Sequence, residues 1–200
     1  MNKAATWTAA IAALAVGGLV QAHHTGFMYE QTPIWIKGTV VRFERVNPHS
    51  IITLEDKSAD GRVRRWAVEG PGQFELDRVA IPEGFPKVGD ALEFCAFPYK
   101  EEYSARFRSQ DADGTPRQLL AGHVMVTSDG QKEFWEPHGT ISACILSSNY
   151  PKQSWLDFVK SNPRARHGWC EQRARASVQA AASLSELIGE IDAAIGNACR

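Results

Sequence analysis

Six histidines, His23, His24, His49, His123, His138 and His167, are the side chains best suited to chemistry in this chain. An imidazole ligates transition metals through either ring nitrogen and exchanges protons near neutral pH. No HxxxH or HExxH spacing occurs, so a metal centre has to be gathered by the fold rather than along one helix. His23 and His24 stand apart because of what precedes them. Lys3 and the α-amine make a short positive region, Ala4 to Val20 is nearly all small or apolar, and Val20-Gln21-Ala22 offers small residues where a signal peptidase reads. The expectation is a signal peptide over residues 1–22 and a mature chain that begins at His23. A free α-amine beside the His23 imidazole chelates one metal ion, His24 adds a donor at the next residue, and a folded-back His49 completes a nitrogen-rich site. Such ligands suit Cu(II) best among the divalent first-row ions, with zinc second. The competing reading makes His23 and His24 a solvated terminus that leads Phe27 and Met28 into the fold, and His49 a turn residue capping backbone groups.

The four cysteines are Cys95, Cys144, Cys170 and Cys199. None is spaced as a CxxC redox or zinc pair, and an exported chain readily forms disulfides, so structural bridging is expected. Four cysteines allow three pairings. A single helix from Cys170 to Cys199 would hold that pair ~43 Å apart at ~1.5 Å per residue, and only a hairpin break near Ser183 would join them. Cys144 with Cys170 and Cys95 with Cys199 are therefore the favoured pairs. No cysteine follows the apolar run at its cleavage point, which argues against a lipid anchor. The run is also shorter than the ~20 residues of a membrane span and lacks a following Lys/Arg cluster, so no retained anchor is expected.

Catalytic patterns are missing. There is no GxSxG, no Gly-rich phosphate loop and no Ser/His/Asp spacing. Glu44 and Glu55 could face each other on neighbouring strands, but solvated carboxylates are common on barrels. An enzyme is not supported. Arg62, Arg64, Arg65 and Trp66 in "RVRRWAV" combine cations with a stacking ring, as single-stranded nucleic-acid binders do. The charge balance opposes that reading. Removal of residues 1–22 takes Lys3 and no acid, leaving 21 basic against 23 acidic side chains, and a nearly neutral chain has little long-range attraction for phosphate. These arginines, with Arg164, Arg166, Arg173 and Arg175, read as solvated faces, and no nucleic-acid partner is expected.

The elements that must position these residues are mostly strands. In "IWIKGTVVRFERV" the apolar residues occupy even positions at Ile34 and Ile36 and odd positions at Val41 and Phe43, which predicts a long first strand bent near Gly38. Asn47-Pro48 is a turn, "SIITLED" a second strand, Asp60-Gly61 a hairpin, and "RVRRWAVEG" the returning strand. A short helix follows in "PGQFELDRVAI", with Pro71 in its first turn. "PKVGD" turns into a fourth strand, "ALEFCAF". Glu101 to Pro116 is a polar loop. "RQLLAGHVMVT" is a fifth strand with Leu120, Val124 and Val126 on one face and His123 on the other. This order, strand-strand-strand-helix-strand-strand, is that of a five-stranded oligonucleotide/oligosaccharide-binding (OB) barrel. The fold class expected is mainly β, an OB-like barrel over residues 23–129 with a C-terminal helical extension over 130–200. In that extension "QKEFWEPHGTISACIL" reads as one or two further strands. "SWLDFVKSN" and the stretch from His167 to Ala198 read as helices, with an apolar stripe at Leu184, Leu187, Ile188, Ile191, Ile195 and Ala198. That stripe needs a partner surface, either the open end of the barrel or a second copy of the chain.

With these pieces in place the chain resembles a family of exported bacterial proteins, domain of unknown function 6152. The likeness rests on "AHHTGF", "IKGTVVRFERVNPHSIITLE", "RWAVEG" and "KVGD", and covers about Ala22 to Asp129. Family members usually carry Ser where this chain has Thr25 and glycine-tyrosine-proline where it has Ala96-Phe97-Pro98, and stop soon after the fifth strand. The resemblance implies a small exported β-barrel with no established activity, here periplasmic. Two functions are weighed. One is a non-catalytic module that holds a small ligand or periplasmic protein on the barrel face or on its loops, notably Glu101 to Thr115. The other is a copper-binding protein or metalloenzyme centred on His23, His24 and His49.

Overall fold

The computed structural model describes residues 28–57, 59–78, 81–104, 109–110, 113–135, 141–175, 182–196 and 199. Its strands are β1 (Ile34–Glu44), β2 (His49–Lys57), β3 (Val63–Pro71), β4 (Ala91–Pro98), β5 (Ser109–Gln110), β6 (Pro116–Thr127) and β7 (Lys132–Phe134). The helices are α1 (Gln73–Arg78), α2 (Glu101–Ser104), α3 (Ile141–Leu146), α4 (Lys152–Ser161), α5 (Pro163–Arg175) and α6 (Ala182–Ile195). β1 pairs antiparallel with β2 and with β4, β2 pairs with β3, and β4 pairs with β6. A parallel pairing of β3 with β6 closes the ring. The result is a closed five-stranded mixed barrel followed by C-terminal helices, as the strand order led us to expect. The short strands β5 and β7 are added along β6.

Local details differ from the sequence reading. The irregularity in β1 falls between Val40 and Arg42 rather than at Gly38. Val41 is the extra residue, and it is exposed, while Ile36 and Val40 before it face the interior and Phe43 packs there after it. Pro71 closes β3, and α1 starts two residues later. In β6 the register shifts opposite Cys95 and Ala96, where His123 is the extra residue. That bulge flips the strand. Leu120 and Met125 face the barrel interior, and Val124 and Val126 face outward, so Leu120 does not share a face with the two valines.

Two cores result. The first fills the barrel with Ile36, Val40, Ile52, Leu54, Val68 and Phe94, among others, capped by Leu76 of α1. The second lies between the outer wall of β4, β6 and β7 and the helices. There Cys95, Val124, Val126 and Phe134 meet Ile141, Trp155, Trp169, Leu187 and Ile191. Of the stripe on α6, Leu187 and Ile191 are buried in this second core and Ile188 and Ile195 pack against it, while the helix meets α4; the side chains of Leu184 and Ala198 lie outside those described. Trp135 joins the cores, because it follows Phe134 of the second yet lies fully buried in the first. Its indole needs glycine at position 70, where a Cβ would come 1.8 Å from Trp135 Nε1; a Cβ on Gly122 would come 2.4 Å from Val68 Cγ1 and 3.2 Å from Trp135 Cδ1. Polar contacts also pin the helices, with Tyr150 donating to Glu93 Oε2 at 2.7 Å and Trp35 Nε1 donating to Ser147 Oγ at 3.1 Å.

The disulfides join Cys95 to Cys144, with Cα atoms 5.8 Å apart, and Cys170 to Cys199, at 5.3 Å. This corrects the favoured pairing of Cys144 with Cys170 and Cys95 with Cys199. The single helix assumed in that argument is two, α5 and α6, and the bridge sets Cys170 of α5 beside Cys199, which follows α6. The expected strand at "ISACIL" is the helix α3, which delivers Cys144 to the barrel wall.

Candidate functional site

The turn before β2 is held from two sides. Backbone N–H of Gln73 donates to the Val46 carbonyl at 3.1 Å, and that of Phe74 donates to Asn47 Oδ1 at 3.2 Å. The start of α1 thus clamps Val46-Asn47-Pro48 and sets His49, the first residue of β2, opposite Pro71 of β3. Two residues earlier on β3 stands Glu69, paired with Ile51 of β2 and Ala121 of β6. Val68 points into the barrel, so by alternation Glu69 points out. Beyond the end of β4, Tyr99 bridges to Tyr29, and backbone bonds from Glu30 N to Pro98 O (2.8 Å) and from Lys100 N to Met28 O (3.0 Å) tie the incoming segment there.

These placements form one polar chain on the outer wall. Tyr29 donates its hydroxyl proton to Tyr99 Oη at 3.1 Å, and Tyr99 donates to Glu69 Oε2 at 2.9 Å. The other carboxylate oxygen, Glu69 Oε1, lies 3.5 Å from His49 Nδ1. The two tyrosine rings tilt against each other with centroids 4.6 Å apart. Ala121, the β6 residue paired with both Glu69 and Phe97, is small enough for Tyr99 to reach Glu69 across that strand. Burial pushes the Tyr99 hydroxyl far above its ordinary range, and the contacts with Tyr29 and the Glu69 charge raise it further. Tyr99 therefore stays a donor, with Glu69 Oε2 as its acceptor, and the other oxygen of that carboxyl group faces His49 Nδ1.

His123 occupies the bulge on the same wall, its ring 4.5 Å from that of Phe97. Desolvation pushes its pKa down to about 3, and its buried Nδ1 has no hydrogen-bond partner among the described residues. A neutral imidazole is consistent with that setting.

Of the residues singled out in the sequence, His49 stands in this chain. His23, His24 and His138 lie outside the described residues, and His167 sits exposed on α5. Among the described residues no group of three or more His, Cys, Asp or Glu is gathered for a metal ion. Glu44 and Glu55 do not face each other. Glu44 binds Arg42 at 2.6 Å, and Glu55 binds Arg65 at 3.0 Å. The arginines of "RVRRWAV" are paired as well, Arg62 with Asp60 at 2.6 Å, Arg64 with Asp56 at 2.5 Å and Arg65 also with Asp113 at 2.8 Å. Arg164 bonds the Trp135 carbonyl at 3.3 Å and Glu133 at 3.4 Å. Sequence reasoning missed Glu69, Tyr99 and Tyr29. The outward phase of "RWAVEG" could have singled out Glu69, whereas the two tyrosines meet only through the fold. Among the described residues no helix is long and apolar enough to cross a membrane.

No curated protein matches the chain. A family model does, over β1 to β4 and all four residues of the polar chain, while β6 and the C-terminal helices lie beyond it. Residues 10–106, just under half of the chain, match the model of a family of unknown function, DUF6152, the family that the sequence resembles.

Proposed function

We propose that this protein is an exported, periplasmic β-barrel module that binds a small ligand or a protein partner and catalyses no reaction of its own. The observation that carries the reading is the polar chain Tyr29–Tyr99–Glu69–His49, built by separate segments on the outer wall. The barrel interior is taken up by apolar side chains and Trp135, so recognition falls to the wall and to the segment beyond Tyr99. Export is supported by the signal-like run over residues 1–22 and by two disulfides, which persist in oxidising compartments. The test is a thermal-shift panel of small acids, amines, sugars and metal ions on wild type and on the double variant Tyr99→Phe, Glu69→Gln. A compound that raises the wild-type Tm and leaves the variant unmoved is expected. Robust turnover of any substrate by the purified protein would defeat the proposal.

A second reading, copper binding by His23, His24 and His49, is favoured by the anchoring of Tyr29 on Tyr99. The five residues from His24 to Tyr29 span up to about 17 Å when extended. Three side-chain contacts, of 3.1, 2.9 and 3.5 Å, lead from the Tyr29 hydroxyl to His49.

A further inference from the structure

We infer that the Cys170–Cys199 bridge is a reversible thiol-exchange site, opened by a dithiol reductant and closed by a disulfide oxidant, and that it latches α6 onto the rest of the chain. The inference stands apart from both the ligand-binding and the copper readings.

The two bridges differ in their surroundings. Cys95 and Cys144 are both fully buried, inside the second core with Phe134, Trp155 and Val159. Cys199 is exposed and Cys170, on α5, is half-buried. Exchange begins when a thiolate attacks one sulfur of the bridge, so it needs an approach to that sulfur from outside. The buried bridge offers none while the core is intact, whereas the terminal bridge offers Cys199. The step balances within a dithiol. One thiolate of the reductant bonds to Cys199 Sγ, the Cys199–Cys170 bond breaks, and Cys170 leaves as a thiolate that takes up a proton. The reductant's second thiolate then bonds to its own first sulfur and releases Cys199, which is protonated in turn. Two electrons and two protons pass from the dithiol to the cystine, and the reductant leaves as a disulfide.

What the bridge holds follows from the side chains beside it. Cys170 follows Trp169, which is buried and donates from Nε1 to Asp192 Oδ1 of α6 at 3.4 Å. Glu190 of α6 pairs with Lys152 of α4, and Leu187 and Ile191 are the fully covered side chains among those described on the helix. A helix of 14 residues is marginal by itself in water, so α6 depends on these contacts and on the cross-link. Opening the bridge leaves α6 to its noncovalent contacts. The helix then parts from its neighbours more often, while the barrel keeps its own strand pairs and the Cys95–Cys144 bridge.

The experiment uses the full oxidised chain, incubated under native conditions with rising dithiothreitol, alkylated and mapped by mass spectrometry. Cys170 and Cys199 should be labelled at least about tenfold faster than Cys95 and Cys144, which should react only once urea is added. Oxidised glutathione should restore the bridge. Hydrogen exchange of peptides from α6 should quicken by about tenfold or more on reduction, and that of peptides from β1 to β4 should stay the same. The double variant Cys170→Ser, Cys199→Ser should show the quickened exchange without reductant and no further change with it. Wild type opened by dithiothreitol keeps the comparison usable if that variant misfolds. Equal labelling of the four cysteines, or earlier labelling of Cys95 and Cys144, overturns the inference. Selective opening that leaves exchange across α6 unchanged overturns the latch.

Discussion

A neutral histidine inside a folded wall has a thermodynamic signature. The His123 pKa is pushed down to about 3 by desolvation, whereas in the unfolded chain it returns to about 6.5. Between those values the unfolded state binds a proton that the folded state does not, so stability rises with pH across the window. Above pH of about 6.5 both states are neutral and the effect vanishes. Wild type should therefore lose urea resistance as pH falls from about 6.5 toward about 3. His123→Phe, which keeps a ring against Phe97 and abandons no hydrogen bond of Nδ1 among the described residues, should flatten that loss. Urea midpoints at several pH values check it, and parallel slopes for the two proteins would refute the assignment. The sequence placed His123 on the face of its strand opposite Leu120, Val124 and Val126. It did not reveal that His123 is the bulge, since the burial that lowers its pKa comes from Phe97 and other residues distant in the chain.

At the scale of elements the sharpest test is the seat of Trp135. A methyl group on Gly70 would overlap the indole nitrogen at 1.8 Å, and overpacking of this kind costs about 1–3 kcal/mol or more. Gly70→Ala should lower the urea unfolding midpoint accordingly, and Trp135→Leu in the same molecule should recover part of the loss, so the two changes will not add. The order of the barrel strands was legible because each signal was local: alternation in β1, the Asn47-Pro48 and Asp60-Gly61 turns, and the "PKVGD" turn into β4. The phase of β6 was not. Leu120, Val124, Val126 and Met125 are all buried, because the helices cover the outer wall and make both faces of the strand apolar. Alternation carries little information in a strand buried on two sides. The candidate site was half legible in the same sense. His49 could be named from its turn, whereas Glu69 became a partner only once β2 and β3 were paired in register, and Tyr99 only once β4 lay beside Tyr29. The division of the last stretch into α5 and α6 was hidden for another reason: Ala180 to Ala182 are strong helix formers, and nothing local announces that Cys170 and Cys199 meet.

At the scale of the whole molecule, barrel and helices are riveted by Cys95–Cys144 and by Trp135. Non-reducing peptide mapping of oxidised protein should find Cys95 with Cys144 and Cys170 with Cys199, and a Cys144–Cys170 peptide would contradict the structure. The bridges close sequence separations of 49 and 29 residues, for which the chain-entropy model gives stabilisations of about 4 and about 3.5 kcal/mol. Reduction should accordingly destabilise the barrel and the helices together, seen as a lower melting temperature for signals from both. The parallel seam between β3 and β6 has a consequence of a different kind, in time. β3 ends at Pro71 and β6 begins at Pro116, so the seam forms only after a long intervening stretch has been organised, and contacts so distant in sequence are slow to find. Until then β1 to β4 form an open sheet whose last strand, β3, offers a bare edge to proteases and to other chains. A chain delivered amino end first would pass through that vulnerable interval every time it is made.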